Sequence, residues 1–358
     1  MSVERLVNGD FWRGKKVFIT GHTGFKGSWL SFWLKLMGAK VYGYALSQDN
    51  ANAVFNVLRI DELVDCSTLA DIRDLDRLKK SLSDISPEVV FHLAAQSLVR
   101  ESHSNPVATY ATNVMGTVNI LDAIRKLKSV RATVVITTDK CYENKSWPWG
   151  YREIDPLGGK DPYSNSKACA ELVVNAYRHS FFNENEASRI ATARAGNVLG
   201  GGDVAANRLV PDIFRALEAD SVLTLRNSSA VRPWQFVLDS LYGYLLLAES
   251  LFSEDDGFGD VWNFGPTSEE VYSVGQIAAA FMSHIPNLKI EHLEGSDTII
   301  EEKTLRLDSS KARAILNWRN KKSMLATVES IFGWHKALTI RSDMRVFSES
   351  QINEYWKK

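Results

Sequence analysis

Three glycines spaced three residues apart follow a short apolar run near the start of the chain. Gly21, Gly24 and Gly27 come directly after Lys16-Val17-Phe18-Ile19-Thr20, and an apolar stretch from Trp29 to Met37 follows them. This order predicts a strand, a tight turn and a helix. Glycine at these positions permits the turn, lets backbone approach a pyrophosphate and allows close helix packing. Because free N–H groups at a helix start attract an anion, the chain is expected to open with a dinucleotide-binding unit.

Short apolar segments alternate with helical segments over about the first 195 residues. Further strands are predicted at Val41 to Leu46, Glu88 to Ala94, Ala132 to Thr138 and Arg189 to Ala195, with a helix at Thr109 to Leu127. Fully apolar strands are typical of a parallel sheet covered by helices on both faces. The prediction is therefore an α/β protein with a Rossmann-type, doubly wound parallel sheet, whose ligands lie at the carboxyl ends of the strands.

The pattern changes after Gly200-Gly201-Gly202, where helices and short strands are separated by longer loops. We predict a dinucleotide-binding domain at residues 1–195 and a smaller, mixed α/β substrate domain at 196–358, with chain crossings between the two. A cleft between such domains is the usual place for a substrate.

Composition favours an enzyme that acts on small molecules. The chain has 358 residues, 45% of them apolar, and a net charge of −1, so it can bury a large core and has no charge bias toward nucleic acid or membranes. Cys66, Cys141 and Cys169 lack metal or disulfide spacing, which predicts no metal site and a reducing compartment. Arg5 and Asp10 interrupt any leader-like apolar run, and the expected location is the cytoplasm.

Tyr163 and Lys167 have the spacing of neighbours on one helical face. An ammonium group there can lower the pKa of the phenol and make Tyr163 a usable base. The alternative is a solvated pair one helical turn apart. Thr138-Asp139-Lys140, at the end of a predicted strand, adds a hydroxyl, a carboxyl and an amine to the same edge of the sheet.

The expected cofactor is NAD rather than NADP. An acidic residue that holds the ribose of NAD usually lies about 20 residues beyond the glycines. The second predicted strand ends in Ser47-Gln48, and Asp49 lies slightly farther along the chain than the usual acidic residue. Since no Arg or Lys lies between Lys40 and Arg59, no partner for a 2′-phosphate is evident either.

Two other positions bear on cofactor binding. His22 stands where a smaller residue would fit more easily beside the phosphates, which predicts looser binding. A further strand is predicted just before Asp71, ahead of the one at Glu88 to Ala94. Asp71 and Ile72 are predicted to contact the adenine edge, although Asp71 could equally be an exposed loop residue.

Five motifs together resemble the extended short-chain dehydrogenase/reductases that act on nucleotide sugars, over almost the whole chain. They are Gly21-x-x-Gly24-x-x-Gly27, His92-Leu93-Ala94-Ala95, Asn113-x-x-Gly116-Thr117, Tyr163-x-x-x-Lys167 and Arg194-x-x-Asn197-Val198. The resemblance implies a nucleotide-sugar substrate held by the second domain and tightly bound NAD. It also implies a homodimer or higher homo-oligomer, paired through Thr109 to Leu127 and Asp161 to Asn183.

Within that family, Thr138 to Asn144 and Val231 to Gln235 resemble the 4,6-dehydratases that act on CDP-glucose. The implied reaction yields CDP-4-dehydro-6-deoxy-D-glucose and water through transient hydride transfer to NAD. Such products feed deoxysugar pathways of bacterial surface polysaccharides, including lipopolysaccharide O-antigen. Val204, Ser228 and Phe236 depart from the pattern, so a dehydratase or epimerase on another nucleotide sugar stays an alternative. A non-catalytic NAD-binding sensor is a further one.

The resemblance also implies roles for the polar residues. Tyr163, assisted by Lys167, would take the proton of the C4 hydroxyl, which Thr138 would position. Asp139 would protonate the leaving hydroxyl at C6. Lys140 would remove the C5 proton as a neutral amine, or would only neutralise a phosphate or Asp139.

The binding residues implied by the resemblance form two sets. The cofactor set is Gly21, Thr23, Gly24, Phe25, Lys26, Gly27, Asp71, Ile72, Leu93, Ala94, Ala95, Thr112, Tyr163 and Lys167. The substrate set is Gln96, Arg100, Asn197, Arg208, Arg232 and Gln235. Arginine suits a diphosphate because its planar fork pairs with two phosphate oxygens, but each of these residues could instead belong to a structural ion pair.

Overall fold

A computed structural model of the chain describes residues 5–182, 188–253, 257–267, 270–285, 288–292 and 302–357. The strands are β1 Lys16–Thr20, β2 Lys40–Ala45, β3 Cys66–Leu69, β4 Val89–His92, β5 Ala132–Ile136, β6 Arg189–Ala195, β7 Asn197–Leu199, β8 Val222–Leu225, β9 Val231–Arg232, β10 Trp234–Phe236, β11 Val261–Phe264, β12 Tyr272–Ser273 and β13 Lys289–His292. The α-helices are α1 Gly9–Trp12, α2 Phe25–Leu36, α3 Val54–Val57, α4 Ile60–Leu63, α5 Leu75–Ile85, α6 Val99–Ser104, α7 Pro106–Tyr110, α8 Gly116–Ile124, α9 Pro162–Phe181, α10 Leu209–Glu218, α11 Val237–Phe252, α12 Val274–Met282, α13 Ser310–Ile315, α14 Met324–Thr339 and α15 Met344–Lys357. A π-helical turn spans Ala111–Met115 and a 3₁₀ turn spans Asp139–Cys141.

The main sheet has seven strands in the order β11-β6-β5-β4-β1-β2-β3. Every neighbouring pair is parallel. The chain winds outward from β1 to β3, then returns to place β4 on the other side of β1. Their carboxyl ends flank the point where the strand order reverses, which is where a doubly wound sheet binds ligands. The predicted Rossmann-type fold is thus confirmed.

Helices cover both faces of the sheet, which explains its apolar strands. All five residues of β5 are buried, and the polar alternation of a half-exposed strand is missing. On one face α11 packs against β5, β6 and α2, and its residues from Val237 to Leu251 are all buried. On the other face α8 packs between α5 and α9.

Several predicted bounds are wrong by one or two residues, because the chain leaves the sheet early to form loops at its carboxyl edge. β2 ends at Ala45, β4 at His92 and β5 at Ile136. The single helix predicted at Thr109 to Leu127 is instead α7, the π turn and α8 in succession. Of the second predicted dimer helix, α9 ends at Phe181, and Asn183 lies outside the described residues.

The second half of the chain returns to the main sheet. β11, at Val261–Phe264, pairs with β6 and forms the edge of that sheet. Three two-stranded sheets lie elsewhere in this half: β7 with β10, β9 with β12 and β8 with β13. The predicted division between residues 195 and 196 stays a prediction. Among the helices of the described ranges, none is both long and apolar enough to cross a membrane.

Candidate functional site

A cleft of about 1870 Å³ lies at the carboxyl edge of the sheet, between the glycine turn and the second half of the chain. The predicted site residues that line it are Gly21, Thr23, Gly24, Phe25, Lys26, Gly27, Asp71, Ile72, Leu93, Ala94, Ala95, Arg100, Thr112, Thr138, Lys140, Tyr163, Asn197, Arg208 and Arg232. Asp139 and Lys167 lie directly behind its wall, and Gln96 and Gln235 point elsewhere.

The glycine turn fits a pyrophosphate. Gly21 has a φ of +77°, and a Cβ atom on it would lie 2.7 Å from the backbone nitrogen of Ala94. A Cβ atom on Gly27 would lie 2.1 Å from the carbonyl oxygen of Gly21. Side chains at these positions would therefore push the turn away from β4 and α2. No side chain caps α2, so its first N–H groups, at the cleft, are available to an anion.

His22 does not stand beside the phosphate side of this turn, contrary to the expectation from its position. Its ring is fully buried, and Nε2 lies 2.7 Å from Oγ of Ser67 on β3. Burial lowers the pKa of His22 to about 4. The His22 ring is therefore uncharged, and it packs beside β3 at the edge of the sheet.

At the adenosine end of the cleft, Asp71 forms a close ion pair with Arg73, at 2.6 Å between Oδ2 and Nη2. The Arg73 guanidinium lowers the pKa of the Asp71 carboxyl. Asp49 is exposed, whereas Gln48 and Asn50 line the cleft. Two amide side chains thus occupy the region where an acidic residue usually meets the ribose.

Thr138, Asp139 and Lys140 form a compact polar turn at the end of β5. Thr138 Oγ1 donates to Asp139 Oδ1 at 3.0 Å, while Oδ2 of Asp139 has no hydrogen-bond partner within the described ranges. Lys140 Nζ lies 3.6 Å from Asp139 Oδ1 and donates to Asn197 Oδ1 at 3.3 Å. The Asp139 side chain is 1% exposed and that of Lys140 is 27% exposed, so the amine faces the cleft and the carboxylate stands behind it.

Helix α9 brings Tyr163 to this turn. The helix begins with Pro162, and Asp161 caps it by accepting a hydrogen bond from the Ser164 backbone N–H at 2.9 Å. Tyr163 therefore lies in the first turn, where it hydrogen-bonds with Thr138. One turn later, Lys167 Nζ donates to the carbonyl oxygen of Ile136 on β5 at 3.2 Å.

The neighbours of Tyr163 do not by themselves make its phenol acidic, contrary to the expectation from the Tyr-Lys spacing. Burial raises the pKa of Tyr163 to about 12, and the Thr138 hydrogen bond and the charge of Arg208 oppose this only in part. Burial also lowers the pKa of Lys167 to about 8. At Lys26, burial and then the nearby Lys167 and Arg208 lower the pKa to about 7. Arg208 is the positive charge that acts on the phenol, and desolvation outweighs its effect.

Three arginines from the second half of the chain line the cleft, Arg208, Arg226 and Arg232, and the first and last of them belong to the predicted substrate set. Arg208 donates to Asp203 Oδ2 and to Ser97 Oγ, each at 3.0 Å, so it spans the cleft from one half of the chain to the other. Arg232 is 6% exposed and donates to the carbonyl oxygen of Val231. Arg208 is thus both a cleft residue and a member of a structural ion pair.

The structure does not bring Gln96 and Gln235 to the cleft. Gln96 Nε2 donates to the carbonyl oxygen of Leu98 in its own loop at 3.1 Å and to Thr109 Oγ1 on α7 at 2.9 Å. Gln235 Nε2 donates to the carbonyl oxygen of Phe264 at 2.8 Å, inside the core. Both amides hold backbone segments together, because nearby groups of the protein satisfy their donors.

Sequence reasoning missed the roles of Asn113 and Glu171. Asn113, in the π turn, accepts from the Gln96 backbone N–H and donates to Ser166 Oγ, which joins the loop after β4 to α9. A π turn often marks a functional site, but no spacing rule predicts it. Glu171, in contrast, follows Lys167 by four residues on one face of α9, and this spacing could have identified it.

Comparison with known proteins places this geometry in context. Residues 18–331 match the family model described as GDP-mannose 4,6 dehydratase. CDP-glucose 4,6-dehydratase of Salmonella typhimurium is 46% identical over 354 residues, which cover 98% of each chain.

Solved structures agree on the fold. UDP-glucuronic acid 4-epimerase from Bacillus cereus, in complex with UDP-glucuronic acid and NAD, aligns with a TM-score of 0.77 at 24% identity, over 90% of this chain and 99% of the other. dTDP-glucose 4,6-dehydratase from Bacillus anthracis, in complex with NAD, aligns with a TM-score of 0.75 at 20% identity, over 90% and 97%. The family model and the relative that is 46% identical confirm the resemblance inferred from the motifs.

Proposed function

Because the chain belongs to the GDP-mannose 4,6-dehydratase family, we propose that it converts CDP-D-glucose to CDP-4-dehydro-6-deoxy-D-glucose and water. The observation that carries the proposal is that Thr138, Lys140 and Tyr163 face one cleft whose other wall is the glycine turn. The near full-length similarity to a CDP-glucose 4,6-dehydratase supports the choice of substrate.

NAD is the proposed cofactor, held mainly by residues 1–195, with the nucleotide sugar held mainly by 196–358. The uncapped start of α2 and the close backbone approach at Gly21 suit its pyrophosphate. When bound, NAD supplies the acceptor for the hydride that leaves C4 and the donor for the hydride that reaches C6.

In the first step Tyr163 accepts the proton of the C4 hydroxyl. Its high pKa means that the phenolate forms only while positive charge is near, and Arg208 supplies such charge at the phenol. Thr138, which hydrogen-bonds with Tyr163, is placed to orient the same hydroxyl. The product of this step is a 4-keto sugar.

The 4-ketone makes the C5 proton acidic, and water then leaves from C5 and C6. We assign removal of the C5 proton to Lys140, whose amine faces the cleft, and protonation of the leaving C6 hydroxyl to Asp139. When C6 has been reduced, Lys140 returns its proton to C5. The proton that Tyr163 accepted from the C4 hydroxyl replaces the one that Asp139 gave to the leaving water. The unpartnered Oδ2 of Asp139 supports a role toward a ligand rather than a purely structural one.

Arg208 and Arg232 are proposed to bind the diphosphate, with Asn197 and Arg100 as further polar contacts. All four line the cleft. For Arg208 this requires a phosphate to compete with Asp203, and bidentate phosphate pairing is strong enough to do so.

We also propose that the protein is a homo-oligomer paired through α9 and the helical segment from α7 to α8. Several large apolar side chains are exposed there, and burying them would provide the association energy. They are Val107 at 82%, Met115 at 51%, Leu172 at 58% and Phe181 at 48% exposure.

A cytoplasmic location and a place in bacterial deoxysugar synthesis, such as that of O-antigen, complete the proposal. The cysteines Cys66, Cys141 and Cys169 are unpaired, as is usual in a reducing compartment.

The decisive experiment incubates the purified protein with NAD and with CDP-glucose, UDP-glucose and dTDP-glucose in competition. A 4-keto product that has lost one water should form fastest from CDP-glucose, because a site built for the exocyclic amino group of cytosine leaves buried groups unpaired with the other bases. A product epimerised at C4 without loss of water would contradict the dehydratase proposal. Equal rates for all three sugars would contradict the choice of base.

A further inference from the structure

A buried carboxylate that has no role in the proposed chemistry lies directly behind the catalytic residues. Glu171 on α9 is 3% exposed and accepts hydrogen bonds from three side chains. Thr137 donates to Oε1, while Thr192, at 2.8 Å, and Arg194, at 2.9 Å, donate to Oε2. A buried charge is costly unless it is well paired, so this arrangement needs an explanation.

Glu171 and Lys167 together dock α9 on the end of β5. They are four residues apart on one helical face, and they bind two consecutive residues of the strand terminus. Lys167 donates to the carbonyl oxygen of Ile136, and Glu171 accepts from the hydroxyl of Thr137. The next residue is Thr138, so this docking fixes the spacing between the Tyr163 helix and the catalytic turn.

Arg194 extends the same contact to the far end of that turn. Its guanidinium pairs with Glu171 and lies 4.7 Å from the ring centroid of Tyr142, the residue after the 3₁₀ turn. Both members of the ion pair are nearly inaccessible, at 3% and 2% side-chain exposure. Glu171 therefore contacts Thr137, on one side of Thr138-Asp139-Lys140, directly, and Tyr142, on the other side, through Arg194.

We propose that Glu171 is a positioning residue for the dehydratase reaction: it holds Tyr163 and Lys167 against the Thr138-Asp139-Lys140 turn and maintains the charge of Lys167. The inference rests on the proposed function for its kinetic consequences. Glu171 lies outside the cleft lining, so it affects the reaction only through these neighbours.

The effect of Glu171 on the charge of Lys167 follows from the groups around that amine. Burial lowers the pKa of that amine to about 8, and Glu171 is the main charge that opposes this. Lys26 on α2 and His92 on β4 lie near the Lys167 amine, and a positive charge on either of them disfavours a positive charge on Lys167. The nearby Cys141 thiol has a raised pKa because it is buried, so it stays neutral. Without Glu171, Lys167 would lose its proton at a lower pH.

The test compares Glu171→Gln with Glu249→Gln. Glu249 is also a buried carboxylate, but it accepts from Asn8 and Trp12, far from the site. Glu171→Gln should lower kcat about 10- to 100-fold with an unchanged KM for CDP-glucose, since misplaced catalytic groups slow the chemistry without weakening binding. The alkaline limb of its kcat profile should move to lower pH by about one unit. Glu249→Gln should change neither quantity.

Glu171→Gln also leaves the charge of Arg194 buried without a partner, which could unfold the protein. The double variant Glu171→Gln/Arg194→Met removes that charge. It should fold and still show the displaced alkaline limb. A wild-type pH profile in the double variant would mean that Glu171 only neutralises Arg194, and would overturn the proposal.

A thermal-unfolding cycle of Glu171→Gln and Lys167→Met tests the pair without any turnover. The two changes should be non-additive in melting temperature if the side chains act on each other. Strict additivity would overturn the inference. A wild-type protein inactive on every nucleotide sugar would instead contradict the proposed function and leave this cycle as the deciding measurement.

Discussion

The ring of His22 fills the space that a side chain at Gly43 would need. A Cβ atom on Gly43 would lie 2.2 Å from Cδ2 of the histidine, and the same ring meets Phe55 edge to face at 5.6 Å between centroids. The His22 imidazole thus fills the space between the glycine turn and β2, and the packing of these two elements depends on it.

Gly43→Ala should therefore destabilise the protein by about 1 to 3 kcal/mol, because overpacking a rigid core forces backbone or ring to shift. Urea unfolding measures the loss. In a His22→Ala background the further loss caused by Gly43→Ala should be much smaller, because the ring no longer occupies the space. Gly259→Ala is a suitable control, since its Cβ would lie 3.6 Å from the carbonyl oxygen of Ile190 and should be tolerated.

Tyr163→Phe should keep the fold and bind NAD but lose turnover by about 10²- to 10⁴-fold, the usual effect of removing one acid/base group. Steady-state kinetics measures the loss of turnover, and NAD titration tests whether cofactor binding is retained. Tyr177→Phe, on the same helix but packed against Phe181, should retain activity. Near-normal turnover by Tyr163→Phe would remove the phenol from the mechanism.

Asp139→Asn should slow the loss of water more than the first hydride transfer, so reduced nicotinamide should accumulate when substrate is added. Stopped-flow absorbance follows this directly. Asp155→Asn changes a buried carboxylate that binds Arg152 and should behave as wild type. If Asp139→Asn reduces no cofactor at all, the carboxyl acts earlier than we propose.

The variant Lys140→Met tests whether Lys140 acts as the base at C5 or only as a fixed positive charge. Exchange of the C5 proton of the bound 4-keto intermediate with deuterated solvent should nearly vanish, as judged by mass spectrometry. Lys145→Met changes a half-exposed lysine paired with Glu143 and should not affect exchange. Exchange at the wild-type rate would assign Lys140 a purely electrostatic role.

Asp239 should make stability depend on pH in an unusual direction. This carboxyl accepts from the Lys321 backbone N–H and the Tyr355 hydroxyl, and burial raises its pKa to about 7. The unfolded chain releases the proton near its ordinary pKa of about 3.9. Between these values the folded state binds more protons, so the free energy of unfolding should fall as pH rises, by at most about 1.4 kcal/mol per pH unit.

Asp239→Asn should remove that fall, because an amide resembles the protonated acid at every pH. Urea unfolding of the variant and the wild type from pH 5 to 8 gives the comparison, in which the stability difference should favour the variant increasingly at higher pH. Asp10→Asn, at an exposed ion pair, should follow the wild type. A constant difference across the range would contradict the assignment.

The strands and the glycine turn could be predicted because their signals are local. A run such as Ala132-Thr133-Val134-Val135-Ile136 is buried on both faces only in a covered parallel sheet. The turn at Gly21 needs a positive φ and close backbone contact, which few residues other than glycine allow.

Side-chain direction at the carboxyl edge could not be predicted in the same way. Gln235 turns into the core because Phe264, far along the chain, offers it a carbonyl group. The spacing of Tyr163 and Lys167 showed that they are neighbours, but only the packed structure shows that desolvation outweighs the ammonium charge. Local patterns identify partners, whereas burial depends on the assembled fold.

The position of β11 has a consequence for biosynthesis. During translation, the backbone N–H and C=O groups along one edge of β6 have no partner strand at first. They are paired only after β11, which ends at Phe264, has left the ribosome. Nascent chains that stop between these strands would present an apolar, unpaired edge of the kind that templates aggregation. Premature termination in this interval should therefore produce inclusion bodies rather than a folded nucleotide-binding fragment.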